Sequence, residues 1–519
     1  MKLHTHFVAA ALMLAAVAAH AASVPPFNLD ADVNRALKTF EVPGMAIAIV
    51  KDGKLVTARG YGVRKLGEPA PVDGKTLFEI ASNSKAFTAA GLAMLVDQGK
   101  IAWDDPVTQH LPGFQMYDSY VTGQMTVRDL LTHRSGLGLG AGDLLWWPST
   151  TFSTDEIIAR LRYVKPATSF RASYAYDNLL YIVAGKIIAE KAGKPWGQAM
   201  QEQILTPLGM SGTRTSVAEM LATSDYAAPH SKIKGQIAVV KPMPVPNAVG
   251  AVGINTNAED IARWMTVLLN HGKLDNGTQL FSARQAAEMW SEQTPMRIRE
   301  PKPALAATKP NFYAYGLGFQ LRDYQGRKLA MHGGALQGFY STVLMVPEEK
   351  LGIAILTNAE NSAAMAALYY RILDHYLKVP PSDWIQLYAD QEAAAHKEEL
   401  ERQGKEQTAR AAASTPSLPL ASYNGEYEDP WYGRISIREE GGRQVMRFAR
   451  TPDLSGELEH FQHDTFIVRW QERNFNADAY VTFALNPDGS IERMKMAPIS
   501  TETDFSYDFR DLSFTPVKQ

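Results

Sequence analysis

Strand-like segments stand near the start and near the end of residues 46–357, and helical segments occupy the region between them. Residues 46–50 and 55–61 flank Asp52-Gly53, which predicts a two-stranded hairpin. Further strand-like runs follow at residues 315–322, 328–331, 341–346 and 351–357. Strands this far apart share one sheet only if the helical region is an insertion that packs on it. We therefore predict an α+β fold, in which distant parts of the chain complete an antiparallel sheet flanked by helices.

The composition of the chain changes after about Tyr388. Residues 390–413 are rich in Ala, Glu, Lys and Gln without a strong apolar face, which is typical of a solvated helical linker. Beyond Pro416, short aromatic and β-branched runs alternate with turn residues, which indicates a separate all-β domain. We predict a main domain over residues 22–388, a linker over 389–415 and a β domain, barrel-like or lipocalin-like, over 416–519.

The first residues indicate export. Lys2 precedes an apolar run over residues 7–19, and Ala19-His20-Ala21 offers small residues for cleavage, so residues 1–21 are predicted to be a signal peptide. The alternative is a membrane anchor, but the run is shorter than the ~20 apolar residues that a span requires. The chain has no Cys, which excludes disulfides and thiolate sites. We expect a periplasmic or secreted protein with no stable membrane span after cleavage.

Charge and composition exclude several other classes. The 52 basic and 55 acidic residues give a net charge of -3, which favours neither nucleic acid nor an anionic membrane as a partner. The alternating glycines at residues 136–142 lack the βαβ context of a nucleotide loop. His460 and His463 have no evident third ligand for a metal. No cofactor and no metal are expected, the partner is a small-molecule or peptide-like substrate, and the oligomeric state is left open.

Ser82-Asn83-Ser84-Lys85 is the first motif with chemical meaning. On a helix, positions i and i+3 lie on one face, so the Lys85 amine can reach the Ser82 hydroxyl. A serine needs a group that takes its proton, and lysine can do this only when its amine is neutral. From a reference pKa of about 10.4, that requires a fall of roughly 3 units through burial or a neighbouring positive charge. Ser82 and Lys85 are therefore a candidate nucleophile and base.

The spacing alone proves little, because Ser231-Lys232-Ile233-Lys234 fits the same pattern. No amphipathic helix follows that second match, and we interpret it as a surface loop. Ser82 differs because a long helix follows it and further motifs lie downstream. Without those motifs, Ser82 is as readily explained as a helix cap.

Two further motifs supply the missing groups. Tyr176-Asp177-Asn178 precedes an apolar helix, and its phenol and amide could move a proton and orient an amine. Taken alone, these residues are better explained by aromatic packing and helix capping. His332-Gly333-Gly334 ends a strand-like run, where glycines allow a substrate to lie along a sheet edge. A plain glycine turn competes with this interpretation. The His-Gly-Gly oxyanion loop of lipases is a second competing explanation, but it is disfavoured because the chain has no Gly-x-Ser-x-Gly elbow.

Ser-x-x-Lys, Tyr-x-Asn and His-x-Gly in this order resemble the penicillin-recognising serine hydrolases, which include class C β-lactamases, D,D-carboxypeptidases, D-aminopeptidases and related esterases. Residues 126–137 are similar to the segment between the first two motifs of that family, and Gly253 with residues 257–269 is similar to a later glycine-then-helix segment. The resemblance spans about residues 28–378. The β domain resembles the small barrels appended to some of these hydrolases, a less specific match.

The resemblance implies a role for each motif residue. Ser82 would be the acylated nucleophile, with Lys85 and Tyr176 sharing the general-base work. Asn178 would contact the lysine or a substrate amide. His332, Gly333, Gly334 and Ala335 would bind the substrate along the closing strand, with the Ala335 N–H and the Ser82 N–H holding the oxyanion.

One departure from the family bears on the substrate. Many class C β-lactamases have Lys-Thr-Gly where this chain has His332-Gly333-Gly334, and histidine there is similar to the D-peptidases and esterases. A neutral His332 tolerates substrates without a carboxylate, whereas a protonated one could still bind an anion. The sequence therefore favours amide or ester hydrolysis of peptide-like substrates. The alternatives are a class C-like β-lactamase, a simple carboxylesterase and a non-catalytic penicillin- or peptide-binding protein. Trp146 and Trp147 either wall the cleft or fill the core.

Overall fold

Residues 44–62 form the predicted hairpin, and its two strands begin the sheet of the main domain. Asp52 (φ 52°) and Gly53 (φ 74°) make the tight turn, which needs positive φ at both positions to match the strand twist. The computed structural model describes residues 26–409 and 414–518. The predicted signal peptide at residues 1–21 lies outside the described residues.

The main sheet has eight antiparallel strands in the order β2-β1-β12-β11-β10-β9-β8-β7. The N-terminal strand β1 pairs with β12 in a register that joins Met45 to Thr357. Distant parts of the chain therefore complete one sheet, and the predicted α+β fold is confirmed. The strands of this domain are β1 (Gly44–Lys51), β2 (Lys54–Gly62), β3 (Phe78–Glu79), β4 (His230–Ile233), β5 (Gln236–Val239), β6 (Asn255–Thr256), β7 (Thr294–Pro295), β8 (Tyr313–Tyr315), β9 (Gln320–Tyr324), β10 (Arg327–Leu336), β11 (Phe339–Val346) and β12 (Leu351–Thr357).

Helices cover both faces of this sheet. Side chains alternate across β1: Ile47 and Ile49 pack into a core with α1 and α13, whereas Ala46 and Ala48 pack into the larger core that contains α2, α6 and α11. A strand that is buried on both faces needs a continuous apolar run, which is what β1 has. The helices are α1 (Leu29–Thr39), α2 (Ser84–Asp97), α3 (Val107–His110), α4 (Ser119–Gln124), α5 (Thr154–Arg160), α6 (Leu179–Ala192), α7 (Trp196–Met200), α8 (Thr206–Leu208), α9 (Val217–Leu221), α10 (Val249–Val252), α11 (Ala258–Leu269), α12 (Ala283–Met289), α13 (Ser362–Leu377) and α14 (Trp384–Ala409).

The single strand predicted over residues 315–322 is wrong. The chain instead forms β8 and β9 with a bend at Gly318, which adopts a left-handed φ of 82°. A Cβ atom at Gly318 would lie 2.9 Å from the Lys85 carbonyl oxygen, so only glycine lets the bend pass this close to α2. The bend therefore packs against the helix that carries the first motif.

Helix α14 connects the main sheet to the β domain. Its first turn is anchored by the buried side chains of Trp384 and Ile385, whereas most side chains of residues 391–400 are exposed. The helix therefore starts earlier than the composition suggested, because its first turn packs into the core.

The β domain is an eight-stranded antiparallel sheet that forms a nearly closed barrel. Its order is β19-β18-β17-β16-β15-β14-β13-β20, and a backbone bridge between Met494 and Phe514 joins the last long strand to the segment that leads into β20. The predicted all-β domain is confirmed. Its strands are β13 (Gly425–Asp429), β14 (Gly433–Glu440), β15 (Arg443–Phe448), β16 (Ser455–Gln462), β17 (Thr465–Trp470), β18 (Ala479–Leu485), β19 (Ile491–Pro498) and β20 (Thr515–Pro516).

Within residues 26–409 and 414–518, no helix combines the length and the apolar character that a membrane span requires. In the same ranges, no group of three or more His, Cys, Asp or Glu side chains is arranged to hold a metal ion.

Candidate active site

Ser82 lies in a short 3₁₀ turn, Ala81–Asn83, directly before α2. The preceding residue, Ala81, has a left-handed φ of 49°, a conformation that costs energy for a residue with a Cβ atom. Two hydrogen bonds fix this turn to β11: the Asn83 amide donates to Ser341 Oγ at 2.8 Å, and Ser341 Oγ donates to the Ile80 carbonyl at 2.8 Å. The strained turn is thus held in one place, with Ser82 at its centre.

Lys85 is fully buried in the first turn of α2. Its Nζ lies 3.0 Å from Ser82 Oγ, 2.7 Å from Asn178 Oδ1 and 3.3 Å from the Ala251 carbonyl. Burial lowers the pKa of Lys85 from 10.5 to about 7, against the opposing effect of the carboxylates of Asp143 and Asp177. A substantial fraction of the amine is therefore neutral at pH 7, the state that can accept a proton from Ser82.

Tyr176 stands beside the nucleophile and is partly exposed to the cavity. The Ser82 side chain lies close enough to affect the pKa of the Tyr176 hydroxyl, and Lys85 Nζ lies 4.9 Å from the centre of the Tyr176 ring. Desolvation raises the pKa of Tyr176 well above 10, so the phenol keeps its proton. A protonated phenol can pass a proton on, but it does not act as a phenolate base.

Asn178 precedes α6, yet its side chain does not cap that helix. The amide oxygen accepts from Lys85, and Nδ2 donates to Asp143 Oδ2 at 2.8 Å. The two bonds define which end of the amide faces the lysine, because the carboxylate of Asp143 accepts only from the NH₂ end. The Asn178 side chain therefore orients the Lys85 amine and does not cap the helix.

Strand β10 does not end at His332 but continues through the motif to Leu336. Its pairing with β9 covers only residues 327–331, whereas residues 332–336 pair only with β11. One edge of this stretch is therefore open toward the cavity, where Gly333 and Ala335 are exposed. This is the sheet edge that the glycine motif predicts.

Gly334 is required by the close approach of β10 to the nucleophile turn. A Cβ atom there would lie 2.1 Å from the Ile80 carbonyl oxygen, whereas one at Gly333 would have no neighbour closer than 3.9 Å. We expect Gly334→Ala to slow the labelling of Ser82 by a small fluorophosphonate at least ~10-fold. The added methyl group would push the nucleophile turn out of place, and a displacement of about 1 Å is enough to lower the rate by this much. Gly333→Ala is the matched control and should stay within a few-fold of wild type. Equal rates in both variants would contradict the proposed packing.

His332 is buried and neutral. Its Nε2 lies 2.8 Å from the Tyr315 hydroxyl and its Nδ1 lies 2.6 Å from the Gly333 carbonyl. Burial, with Lys85 nearby, lowers the pKa of His332 to about 3. The side chain therefore carries no positive charge at neutral pH and cannot attract a substrate carboxylate as a lysine would.

Ser82 opens into a cavity of about 1040 Å³, which Tyr176, Asn178 and residues 331–335 also line. The sequence left two roles open for Trp146 and Trp147, in the core or in the cleft wall. Both side chains are buried and also form part of the cavity wall. Four carboxylate residues line the cavity: Glu360, Glu392, Glu502 and Asp504. Among the residues that the structure describes, no Lys or Arg is part of that lining. The cavity is acidic.

The sequence predicted that the second Ser-x-x-Lys match lies in a surface loop, and this prediction is wrong. Ser231 is buried in β4 and its hydroxyl donates to Glu360 Oε1 at 2.9 Å, whereas Lys234 (φ 50°) is exposed at the tip of the β4–β5 hairpin. In a strand and turn, the spacing of three does not place the two side chains together. This match has no catalytic geometry.

Sequence reasoning missed Asp143 and the cavity residues of the β domain. Asp143 is fully buried and contacts the Asn178 amide, and residues 504–506 reach the cavity from the far end of the chain. The only sequence signal near Asp143 was the run of alternating glycines before it. No sequence pattern marked residues 504–506 as part of the site.

Comparison with known families agrees with this geometry. Residues 29–377 match the β-lactamase family, which covers the main domain with all three motifs. The chain belongs to the β-lactamase family. As a member, it is a serine hydrolase. Residues 409–516 match a domain of unknown function, DUF3471.

Two relatives extend the comparison within this β-lactamase family. The chain is 30% identical over 490 residues to unguisins hydrolase ungD' of Aspergillus campestris, covering 88% of this chain and 86% of the relative. It is 26% identical over 381 residues to protein flp of Staphylococcus aureus, covering 70% of each. The structure of the octameric penicillin-binding protein homologue from Pyrococcus abyssi superimposes with a TM-score of 0.60 at 20% identity, over 94% of this chain and 98% of that one. That last likeness supports the fold alone.

Proposed function

We propose that this family member is an exported serine hydrolase that cleaves amide or ester bonds of peptide-like substrates through an acyl-enzyme on Ser82. One observation carries the proposal: a lysine with a pKa of about 7 lies 3.0 Å from the Ser82 hydroxyl at the bottom of a large cavity. Such a pair supplies both the nucleophile and its base.

The reaction follows from this geometry. Ser82 Oγ attacks the substrate carbonyl carbon, and its proton passes to the neutral amine of Lys85. The N–H groups of Ser82 and Ala335 stabilise the oxyanion. The C–N or C–O bond then breaks, the leaving group takes the proton by way of Tyr176, and Ser82 remains as an ester. Water hydrolyses that ester, which releases the acid and restores the serine.

The preference for peptide-like amides or esters over β-lactams rests on the charge of the cavity. Penicillins and cephalosporins carry a carboxylate, which would meet acidic side chains and the neutral His332. The relative named as a hydrolase of unguisins matches 88% of this chain, which is more than the main domain alone, and this supports a hydrolase built from both domains. Export rests on residues 1–21, and intact-mass analysis of the mature protein from a bacterial periplasm tests it: retention of those residues would contradict it.

A labelling experiment tests the acyl-enzyme. The protein is incubated with a fluorophosphonate and with a fluorescent penicillin, and adducts are located by mass spectrometry. We expect a fluorophosphonate adduct on Ser82, and the absence of any adduct in folded protein would refute the proposal. Turnover is then measured on a chromogenic cephalosporin, D-amino-acid amides and short-chain esters. Fast loss of the cephalosporin would indicate the β-lactamase alternative, and stable penicillin labelling without turnover a binding protein.

The pH profile of the acylation rate should have a single acid limb, a rise of the rate with pH whose midpoint lies near pH 7. Below that pH, Lys85 is protonated and cannot accept the Ser82 proton, so the rate rises with pH and levels off above about pH 8. Burial also raises the pKa values of Asp143 and of the cavity residue Glu360 to about 7, so the limb reports these groups together with Lys85. His332 titrates near pH 3 and Tyr176 well above pH 10, outside the range. Stopped-flow hydrolysis of a neutral ester from pH 5 to 9 measures this, and a flat profile would contradict the role of Lys85.

A further inference from the structure

The end of the β domain reaches into the catalytic region of the main domain. Phe505 packs over Gly140 and its ring centre lies 5.9 Å from that of Tyr176. Asp508 Oδ2 accepts the Gly142 N–H at 2.8 Å. Ser506, between them, is buried and donates to Asp143 Oδ2 at 2.8 Å. The segment 504–508 is therefore bonded directly to the loop that carries Asp143.

Asp143 is a fully buried carboxylate that accepts hydrogen bonds from three neutral donors. Trp146 Nε1 donates to Oδ1 at 2.8 Å, and Oδ2 accepts from both Asn178 Nδ2 and Ser506 Oγ, each at 2.8 Å. A buried carboxylate depends on such donors, because each one that is lost leaves charge unsatisfied. Ser506 is the donor that comes from the other domain.

We propose that Ser506 is a positioning residue for the catalytic lysine, acting through Asp143 and Asn178. The hydrogen bonds form one continuous chain from Ser506 Oγ to Asp143 Oδ2, through the Asn178 amide to Lys85 Nζ, and on to Ser82 Oγ. The inference rests on the proposed function, since it needs Lys85 to act at Ser82. It makes the β domain part of the machinery that holds the base.

Removing Ser506 has a defined electrostatic consequence. The hydrogen bond from Ser506 lowers the pKa of Asp143, so its loss raises that pKa and leaves less negative charge beside Lys85 at a given pH. Because the carboxylate of Asp143 raises the pKa of Lys85, that pKa then falls. The acid limb of the acylation rate therefore moves to lower pH. The titratable and aromatic groups that face Lys85 are Asp143, Asp177, Tyr176, Tyr181, His133 and His332.

The test uses full-length protein with Ser506→Ala, Ser506→Thr and, as matched control, Ser500→Ala. Ser500 also joins the domains, since it bonds to Glu399 of α14, but it lies outside the chain to Lys85. With a neutral ester, we expect Ser506→Ala to lower kcat about tenfold with little change in KM, because a hydrogen bond to a charged group is lost. The acid limb should move to lower pH. Ser506→Thr should recover most of the rate, and Ser500→Ala should match wild type.

Several outcomes would overturn the proposal. If Ser506→Ala leaves both kcat and the position of the acid limb unchanged, the proposal is wrong. It is also wrong if only KM rises, because Ser506 would then be a substrate contact. A lower kcat with an unmoved limb and no recovery in Ser506→Thr indicates a merely structural role. If Ser506→Ala does not fold, Ser506→Cys keeps the volume with a weak donor and gives the same comparison. Failure of wild type to form an adduct on Ser82 refutes the proposed function instead, so the two failures are distinguishable.

Discussion

Lys85→Ala is expected to slow the acylation of Ser82 by about 10³- to 10⁴-fold. The reason is that no other group takes the serine proton at neutral pH: the phenol of Tyr176 keeps its own proton, and His332 hydrogen-bonds to Tyr315 and Gly333 rather than to Ser82. The rate of fluorophosphonate labelling, followed in gel or by mass spectrometry, measures the effect. Lys85→Met, which keeps more of the buried volume, should lose a similar amount.

The second Ser-x-x-Lys match provides the matched control. Lys234 belongs to the same sequence pattern but is exposed at a hairpin tip, so Lys234→Ala should label at the wild-type rate. Circular dichroism and thermal unfolding of both variants separate loss of the base from loss of the fold. Full activity in a folded Lys85→Ala protein would exclude lysine as the base.

Tyr176→Phe is expected to slow amide hydrolysis by about 10²- to 10³-fold. The phenol lies beside Ser82 and stays protonated, so its expected role is to pass a proton to the leaving group. An amine leaves only when protonated, whereas a nitrophenolate leaves without a proton. The loss should therefore be far smaller on a nitrophenyl ester than on an anilide with the same acyl group.

Tyr174→Phe is the control for this prediction. Tyr174 lines the same cavity, and its ring lies against His133, as does that of Tyr176. Its hydroxyl has no role in the mechanism, so both substrates should be hydrolysed at close to wild-type rates. An equal loss on ester and anilide in Tyr176→Phe would mean that the phenol positions Ser82 instead of moving the proton.

Much of the fold could be predicted because it depends on local pattern. The Asp-Gly turn and the runs around it gave the β1–β2 hairpin, and the strand-like run at residues 351–357 coincides with β12. The bend at Gly318 could not be predicted, because residues on both sides of it have strand-like side chains. Only the packing of that bend against α2 explains why the strand breaks there.

The candidate site was predictable to the extent that it lies in short motifs. The three motifs named Ser82, Tyr176 and His332, and the structure brings all three to one cavity. Asp143 could not be found, because an isolated aspartate in a glycine-rich loop has no distinctive spacing. The same holds for Ser506, which lies in a different domain from the residues that it supports.

The sequence by itself determined the local geometry: the spacing that places Lys85 beside Ser82, the continuous apolar run that lets β1 be buried on both faces, and the glycines that open β10 to the cavity. The tertiary structure decided what those residues can do. The pKa of Lys85 falls to about 7 only because distant segments bury the amine. The same packing places Asn178, Asp143 and Ser506 in one hydrogen-bonded chain behind it. Burial and charge depend on everything that packs around a group, whereas a motif specifies only its nearest neighbours along the chain.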